Sequence, residues 1–381
     1  MSETSRDASS QCVDEKPVQL HINDVAFGGK GVGRIGTKAA FVPFTIDGEN
    51  ITAQVVKQKK TWAEARLFSV DEKSPHRVEP PCPYFGRCGG CSYQHIDYAH
   101  QLEIKSRQVE QTLRRIGKFE RVPMRAIIPS PKQYAYRNRI RVHACDGVIG
   151  FYRTDRHELL DIERCPISSR EVNEALAQLR RRSVRDGDYT LTSERRGDAE
   201  FFVQTNDEVA AEMLALVRRL LITRGERDCG DLRKKNETLV DAFCGAGFFA
   251  KGLADLFSRV IGIEENEFAV NHARRNARPD ESYIAGDVAA HLGAVLTESN
   301  AAETALLLDP PAIGVAPRVL DFILAAKPNE VIYVSCNPAT LARDLATLCR
   351  AEAYRLDSVT PLDMFPQTAE IEVVAHLFLG I

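Results

Sequence analysis

The 381-residue chain has no apolar run approaching the ~18 residues that a membrane-crossing helix needs, so a helical membrane protein is excluded. Met1 to Lys16 is polar and acidic and has no apolar segment. It reads as a flexible tail rather than a secretory signal. Without secretion, the ten cysteines are not expected to build a disulfide framework; metal binding or catalysis accounts for them better. There is no internal repeat. No Walker lysine follows a glycine-rich turn, and the third phosphate glycine of the dinucleotide fingerprint is missing, which argues against ATP and NAD. Neither sign of charge dominates, since the net charge is −3 and charged residues are 27% of the chain.

The charge is unevenly distributed, however. From Gln111 to Arg141 the bases are Arg114, Arg115, Lys118, Arg121, Arg125, Lys132, Arg137, Arg139 and Arg141, opposed only by Glu120. From Pro279 to Pro317 there is no Lys or Arg, while Asp280, Glu281, Asp287, Glu298, Glu303 and Asp309 are all acidic. One region can attract a polyanion while another stays negative; two solvated helix faces of opposite sign would look the same.

Several short strand patterns with glycine turns fall between Val18 and Val70: Gln19 to Ile22, Ala39 to Phe44, Asn50 to Lys57 and Trp62 to Val70. Phe27 to Arg34 forms a basic turn region among them. This spacing predicts a small barrel of the OB type. The prolines of Ser74 to Pro83 mark a boundary, and a cysteine-rich segment follows. Tyr98 to Ile116 reads as a polar helix. Strands return between Tyr136 and Cys165 and from Gly187 to Gln204, with helices at Ser169 to Arg182 and Glu208 to Leu221. A charged loop is expected at 224–237. Beyond it, Thr238 to Phe243, Val260 to Glu264, Ala305 to Asp309 and Val331 to Ser335 alternate with helices at Phe268 to Asn276 and Pro338 to Arg350. That alternation predicts a parallel-rich, Rossmann-like α/β sheet. The expected organisation is a tail (1–16), a barrel (17–75), a mixed central region (76–230) and an α/β domain (231–381).

In open α/β sheets, ligands sit beyond the carboxyl ends of strands. Asp241-Ala-Phe-Cys-Gly-Ala-Gly247 ends the first, and Gly245 and Gly247 allow close backbone approach. Glu264 ends the second and can accept both hydroxyls of a ribose. Together they point to a nucleoside-bearing cofactor; S-adenosylmethionine has ribose and adenine but no phosphate. Asp309-Pro-Pro311 offers a carboxylate and a rigid turn that can hold a planar group, or simply stops a strand. Ser335-Cys-Asn-Pro338 places Cys336 at a helix N-terminus. Such a position lowers a thiol pKa and suits a nucleophile. Near the C-terminus, Glu370 and Glu372 are both candidate bases, and sequence does not choose between them. Cys82, Cys88 and Cys91 are spaced to wrap a metal or cluster, with Cys165 the best fourth ligand; zinc would use the same sulfurs. The pattern is not Cys-x3-Cys-x2-Cys, so radical chemistry is not expected.

Six motifs carry a likeness over about Val18 to Ile381. They are Cys82-x5-Cys88-Gly-Gly-Cys91, Tyr136-Arg-Asn-Arg139, Asp241 to Gly247, Asp309-Pro-Pro311, Ser335-Cys-Asn-Pro338 and Met364-Phe-Pro-Gln-Thr368. With them the chain resembles the RNA 5-methyluridine methyltransferase family, and its N-terminal module resembles the RNA-binding TRAM barrel. The resemblance implies a [4Fe-4S] cluster on Cys82, Cys88, Cys91 and Cys165. It implies an S-adenosylmethionine site lined by Gln204 (within Phe201 to Asn206), Phe243, Glu264, Asp287 and Asp309. It further implies Cys336 as nucleophile and Glu372 as base. The sequence departs from the family pattern at Phe248 (usually Asn), Ala312 (usually Arg) and Glu370 (usually His); Glu370 adds a carboxylate that can raise the pKa of its neighbour.

The expected reaction is methylation at C5 of a uridine in structured rRNA or tRNA through a Cys336–C6 adduct. The target base is flipped out of its stack and the phosphates lie on Arg114, Arg115, Lys132, Arg137 and Arg139. The protein is expected to be a cytoplasmic monomer. The alternatives are a methyltransferase for another base and a non-catalytic RNA-binding protein or chaperone. A cytosine-C5 enzyme would carry Pro-Cys, which is absent around Cys336.

Overall fold

The computed structural model describes residues 16–182, 184–193, 204–222, 236–275 and 277–380. Cys12, Cys229, Asn276, Phe201 to Val203 and most of 224–237 lie outside the described residues.

Strands β1 (Val18–His21), β2 (Asp24–Val25), β3 (Lys30–Ile35), β4 (Lys38–Pro43), β5 (Asn50–Gln58) and β6 (Trp62–Glu72) form a sheet of order β1-β5-β6-β4-β3-β2. The Phe27 to Arg34 segment is therefore only partly a turn: from Lys30 it is a strand. The sheet curls until β3 meets β1. A Cβ on Gly33 would stand 2.8 Å from the His21 carbonyl oxygen, so only glycine permits that closure.

Helix α1 (Tyr98–Arg115) follows, capped by Asp97, whose side chain accepts from the His100 N–H. Next comes a four-stranded antiparallel sheet, β10-β7-β8-β9. Its members are β7 (Arg139–Cys145), β8 (Val148–Tyr152), β9 (Leu159–Asp161) and β10 (Gly187–Thr192), and helix α2 (Arg170–Arg180) accompanies it. Helix α3 (Asp207–Ile222) leads into the last unit.

That unit is a seven-stranded sheet, β13-β12-β11-β14-β15-β17-β16. Its parallel strands are β11 (Thr238–Ala242), β12 (Arg259–Glu264), β13 (Glu281–Ala285), β14 (Thr304–Leu308) and β15 (Glu330–Ser335). Burial on both faces explains apolar runs such as Ala-Leu-Leu-Leu in β14. Helices α4 (Phe248–Leu253), α5 (Glu267–Arg275), α6 (Val288–Glu298) and α7 (Pro317–Ala326) connect them, and α8 (Pro338–Leu348) leads on from β15. The strand order reverses between β11 and β14, which opens a crevice at their carboxyl ends. Strands β16 (Tyr354–Leu362) and β17 (Glu372–Leu379) run antiparallel to each other, and β17 runs antiparallel to β15.

Two features depart from the sequence reading. Residues 122–128, in the central region, add to the outer edge of β16 through parallel bridges Met124–Val359 and Ile128–Leu362. And α1, although polar, buries one face, polar side chains included. Val109 and Leu113 share a core cluster with Val240, Leu306 and Leu345. Lys105 is fully buried, its Nζ 2.5 Å from Asp363 Oδ1 and 3.1 Å from the Phe365 carbonyl oxygen. Burial pulls the Lys105 ammonium pKa down against the opposing pull of Asp363.

This pair ties α1 to the loop between β16 and β17. Lys105→Met leaves Asp363 buried and unpaired and should destabilise the protein by about 3–5 kcal/mol. Lys105→Met with Asp363→Leu should recover most of that loss. Urea unfolding of both variants measures it, and equal losses would contradict the buried-charge explanation.

Candidate functional site

The crevice is organised by register. Ala242 of β11 lies beside Ile263 of β12 and Leu308 of β14, so the next residues, Phe243, Glu264 and Asp309, come together at one edge. The Asp309 N–H donates to the Ala242 carbonyl (3.3 Å) and the Phe243 N–H to the Ile263 carbonyl (2.8 Å). Ser335 of β15 lies opposite Val373 of β17, which places Cys336 next to Glu372. Only an antiparallel strand brings its first residue to the carboxyl edge of its parallel neighbours.

The glycine turn has the strain of a ligand cradle. Phe243 has φ 70°, unusual for a side chain of its bulk, and Gly245 and Gly247 have φ 54° and 88°. Glu264 is clamped beneath it. Its two carboxylate oxygens accept from the Gly245 N–H (3.0 Å) and the Asn266 N–H (2.8 Å). Asp287 is exposed and caps α6, accepting from the Ala289 N–H at 3.0 Å. Phe243 and Asp287 line one cavity of about 540 Å³ with Ile313, Pro317, Leu320 and Arg343. Its volume suits a small organic ligand. Phe248 opens α4, partly exposed and edge-on to Phe249. The Ala312 carbonyl accepts from Asn337 Nδ2 (3.0 Å) and Thr340 Oγ1 (3.1 Å), so α8 holds the turn after Asp309.

Acids crowd this edge. Burial first, then Glu264, pushes the Asp309 carboxyl up to about 7. Asp241 rises to about 8, chiefly through burial, although the Ala250 N–H on Oδ2 (2.8 Å) opposes the rise. Glu372 is 4% exposed and is held well above the carboxylate range by burial, Asp309 and Glu370. Glu370 itself is exposed, and so the structure separates two acids that the sequence left equal.

Cys336 overturns the sequence expectation of a lowered thiol pKa. Asn337, not Cys336, caps α8, its Oδ1 accepting from the Ala339 N–H (3.0 Å). Burial and then Glu372 and Asp309 push the Cys336 thiol up to about 11. The helix end is outweighed by carboxylates brought in from other strands. A cation entering the crevice would lower all these values together.

The loop from Asp363 to Glu370 is held from outside the sheet. Tyr136 Oη donates to the Pro366 carbonyl (3.0 Å), and Asn206 Nδ2 donates to the Met364 carbonyl (3.3 Å). Gln204, buried two residues before Asn206, accepts from Asn138 Nδ2 through its carbonyl (2.9 Å). Asp241, Gln101 and Lys105 were not singled out from sequence. The usable signal was a carboxylate inside an apolar strand pattern for Asp241, and none for the other two.

Away from the crevice, Cys82, Cys88, Cys91 and Cys165 line a single cavity of about 240 Å³ walled by apolar side chains, Arg137 and Arg141. Burial and then mutual charge push Cys88 up to about 11; burial outweighs the Gln94 hydrogen bond and mutual charge completes the rise of Cys91 to about 12. Thiols so placed stay protonated alone but become good ligands once a cation compensates them. Their sulfurs are spread wider than the ligands of a single ion: among the described residues only Cys145, Asp146 and Asp186, all exposed, bring three donor atoms within 4.8 Å of one another. The basic stretch is not one face. Arg114 and Arg115 are exposed at the end of α1, with Arg114 paired to Glu110 (2.7 Å), and Lys132 pairs with Glu208 (2.6 Å). Arg137 is half-buried, its Nε donating to the Arg139 carbonyl (3.1 Å). No helix among the described residues is long and apolar enough to cross a membrane.

Comparison with known proteins gives a consistent picture. Residues 291–379 match the profile of the tRNA (uracil-5-)-methyltransferase family, and residues 236–322 match that of RNA cap guanine-N2 methyltransferase. An uncharacterized RNA methyltransferase of Aquifex aeolicus is 30% identical over 95% of this chain and 99% of its own. Another, BH0687 of Halalkalibacterium halodurans, is 30% identical over 95% and 97%. The solved structure of the Pyrococcus abyssi tRNA (uracil-54, C5)-methyltransferase with S-adenosyl-L-homocysteine superposes with a TM-score of 0.69. It is 25% identical and covers 94% of this chain and 100% of that one.

The raised thiol gives a direct measurement. Iodoacetamide labelling of Cys336 in the free protein, followed on its peptide by mass spectrometry, should accelerate about tenfold per pH unit from pH 7 to 10. A rate already flat at pH 7 would mean that the helix end prevails over the carboxylates.

Proposed function

Because this chain belongs to the RNA 5-methyluridine methyltransferase family and is an S-adenosylmethionine-dependent RNA methyltransferase, we propose that it methylates C5 of a uridine in structured RNA through a covalent Cys336 adduct. The observation that carries the proposal is the β15–β17 register, which sets Cys336 beside Glu372 with Asp309 on the next strand.

S-adenosylmethionine supplies the methyl group as an electrophile. Gln204, Phe243, Gly245, Gly247, Glu264, Asp287 and Asp309 form its site, with Glu264 holding the ribose hydroxyls and the cavity beside Phe243 and Asp287 receiving the adenine. The sulfonium charge is the cation that this acidic edge lacks. It lowers the pKa of Cys336 and Glu372 when both are needed ionised.

The Cys336 thiolate adds to C6 of the uracil, and the C5–C6 π pair moves toward O4 as an enolate. C5 then takes the methyl group, leaving a neutral thioether. Glu372 accepts the C5 proton, the C–H pair re-forms C5=C6, and the Cys336 thiolate departs with its electrons. Buried Glu372 is the base rather than exposed Glu370, which acts by raising its neighbour's pKa.

The N-terminal sheet serves as a TRAM-type RNA-binding barrel. Arg114, Arg115, Lys132, Arg137 and Arg139 supply positive charge for RNA phosphates. Cys82, Cys88, Cys91 and Cys165 hold a [4Fe-4S] cluster, for which the cavity that all four line, with Arg137, Arg141 and Arg164 beside them, is suited.

Cys336→Ala should bind S-adenosylmethionine with unchanged affinity yet lose methyl transfer by at least about three orders of magnitude. RNA carrying 5-fluorouridine should become covalently attached to the wild-type protein on denaturing gels, with the link at Cys336. Glu372→Gln should accumulate the corresponding adduct on ordinary RNA. Normal methylation by Cys336→Ala would sink the proposal.

A further inference from the structure

Gln367 stands where the four-cysteine segment meets the catalytic loop. Its carbonyl accepts two successive backbone N–H groups, from Ser92 (3.1 Å) and Tyr93 (3.0 Å), immediately after Cys91. Its side-chain carbonyl accepts from Gln101 Nε2 (3.0 Å), and its own N–H donates to Gln101 Oε1 (3.2 Å). It has φ 69°, a left-handed conformation that a non-glycine residue keeps only when its surroundings enforce it. All of the enforcing groups belong to the cysteine segment and α1, and none to the sheet that carries Cys336.

The other side of that junction is equally short. Cys91 lines the four-thiol cavity, and buried Gln94, three residues on, lines it as well. Ser92 and Tyr93 are therefore gripped between two residues of the cavity wall. From Gln367 the chain reaches Glu372 in five residues, through a turn closed by the Thr368 N–H to the Phe365 carbonyl (3.2 Å).

We infer that Gln367 is a positioning residue through which the occupied four-cysteine site holds Glu372 in place for proton removal. A bound metal centre fixes Cys91, and through it the two N–H groups that keep Gln367 left-handed. With the site emptied, Cys91 to Gln94 loses its anchor and the loop relaxes toward ordinary backbone geometry. This inference rests on the reading of the four cysteines as a metal site, and it adds a consequence that reading does not require.

The test uses the full chain purified without oxygen. Metal and sulfide are measured first, with the absorbance near 400 nm; then a chelator and reductant empty the site. Hydrogen exchange of the peptide covering 364–372 should accelerate at least about tenfold, while a peptide from β15 stays unchanged. In the same samples kcat should fall at least about tenfold, with KM for S-adenosylmethionine altered less than about twofold. Gln101→Ala, which keeps the metal but removes one hold on Gln367, should show the same exchange change in smaller degree. If the protein holds metal and exchange of 364–372 does not respond to its removal, the link is overturned and the metal reading stands. If anaerobically purified protein holds no metal, both fall. If exchange accelerates everywhere, the site supports the whole fold rather than this loop, and the inference is overturned.

Discussion

The antiparallel pairing of β17 with β15 is the constraint on which the chemistry depends. In a wholly parallel sheet, every strand begins at the edge remote from the crevice. Reversing β17 brings its first residue, Glu372, to the edge where β15 delivers Cys336. Cys336 and Glu372, 36 positions apart in the chain, thus become neighbours, one just past the end of β15 and the other opening β17. Strand β16 pairs Leu362 with Glu372 on the other side, whereas the β15 ladder ends one residue short of it, at Ser335 and Val373.

That geometry has an electrostatic cost. Glu264 and Asp309 disfavour ionisation of Asp241, Glu264 that of Asp309, and Asp309 that of Glu372. In the free protein the half-buried Cys336 thiol is held well above its ordinary range. Under the proposed mechanism its reactivity is conditional on positive charge, which a sulfonium-bearing co-substrate would bring to this edge.

The polar residues of α1 play the opposite part. Gln101 and Lys105 are buried and tied to Gln367 and Asp363, and Tyr136 adds a bond to Pro366. Buried polar groups of this kind contribute little net stability but demand one geometry, since any shift leaves a charge or amide unpaired. The loop before Glu372 is anchored in the sheet's core by Met364 and Ile371, and its polar backbone is held from the central region.

Much of the framework was legible in the residues. Apolar runs ending in Asp309 or Ser335, the glycine turn after Asp241, and prolines and caps at helix starts are local signals, and the strands and helices follow from them. The spacing of Cys82, Cys88 and Cys91 pointed to a shared site, and their side chains do line one cavity with Cys165. Short β13 and the edge pairing of 122–128 gave no such signal, because their formation depends on neighbours distant in sequence.

The sequence by itself determined which residues are available and which local element carries each. It did not determine their ionisation or their partners. Helix position argued for a reactive Cys336, and strand alternation left Glu370 and Glu372 equal. Tertiary structure decided both, burying Glu372 and surrounding the thiol with acids from β14 and β17. The reason is physical: hydrogen bonding within a helix or strand extends a few residues, whereas Coulomb interaction between part-buried groups follows distance through space, which only the assembled sheet defines.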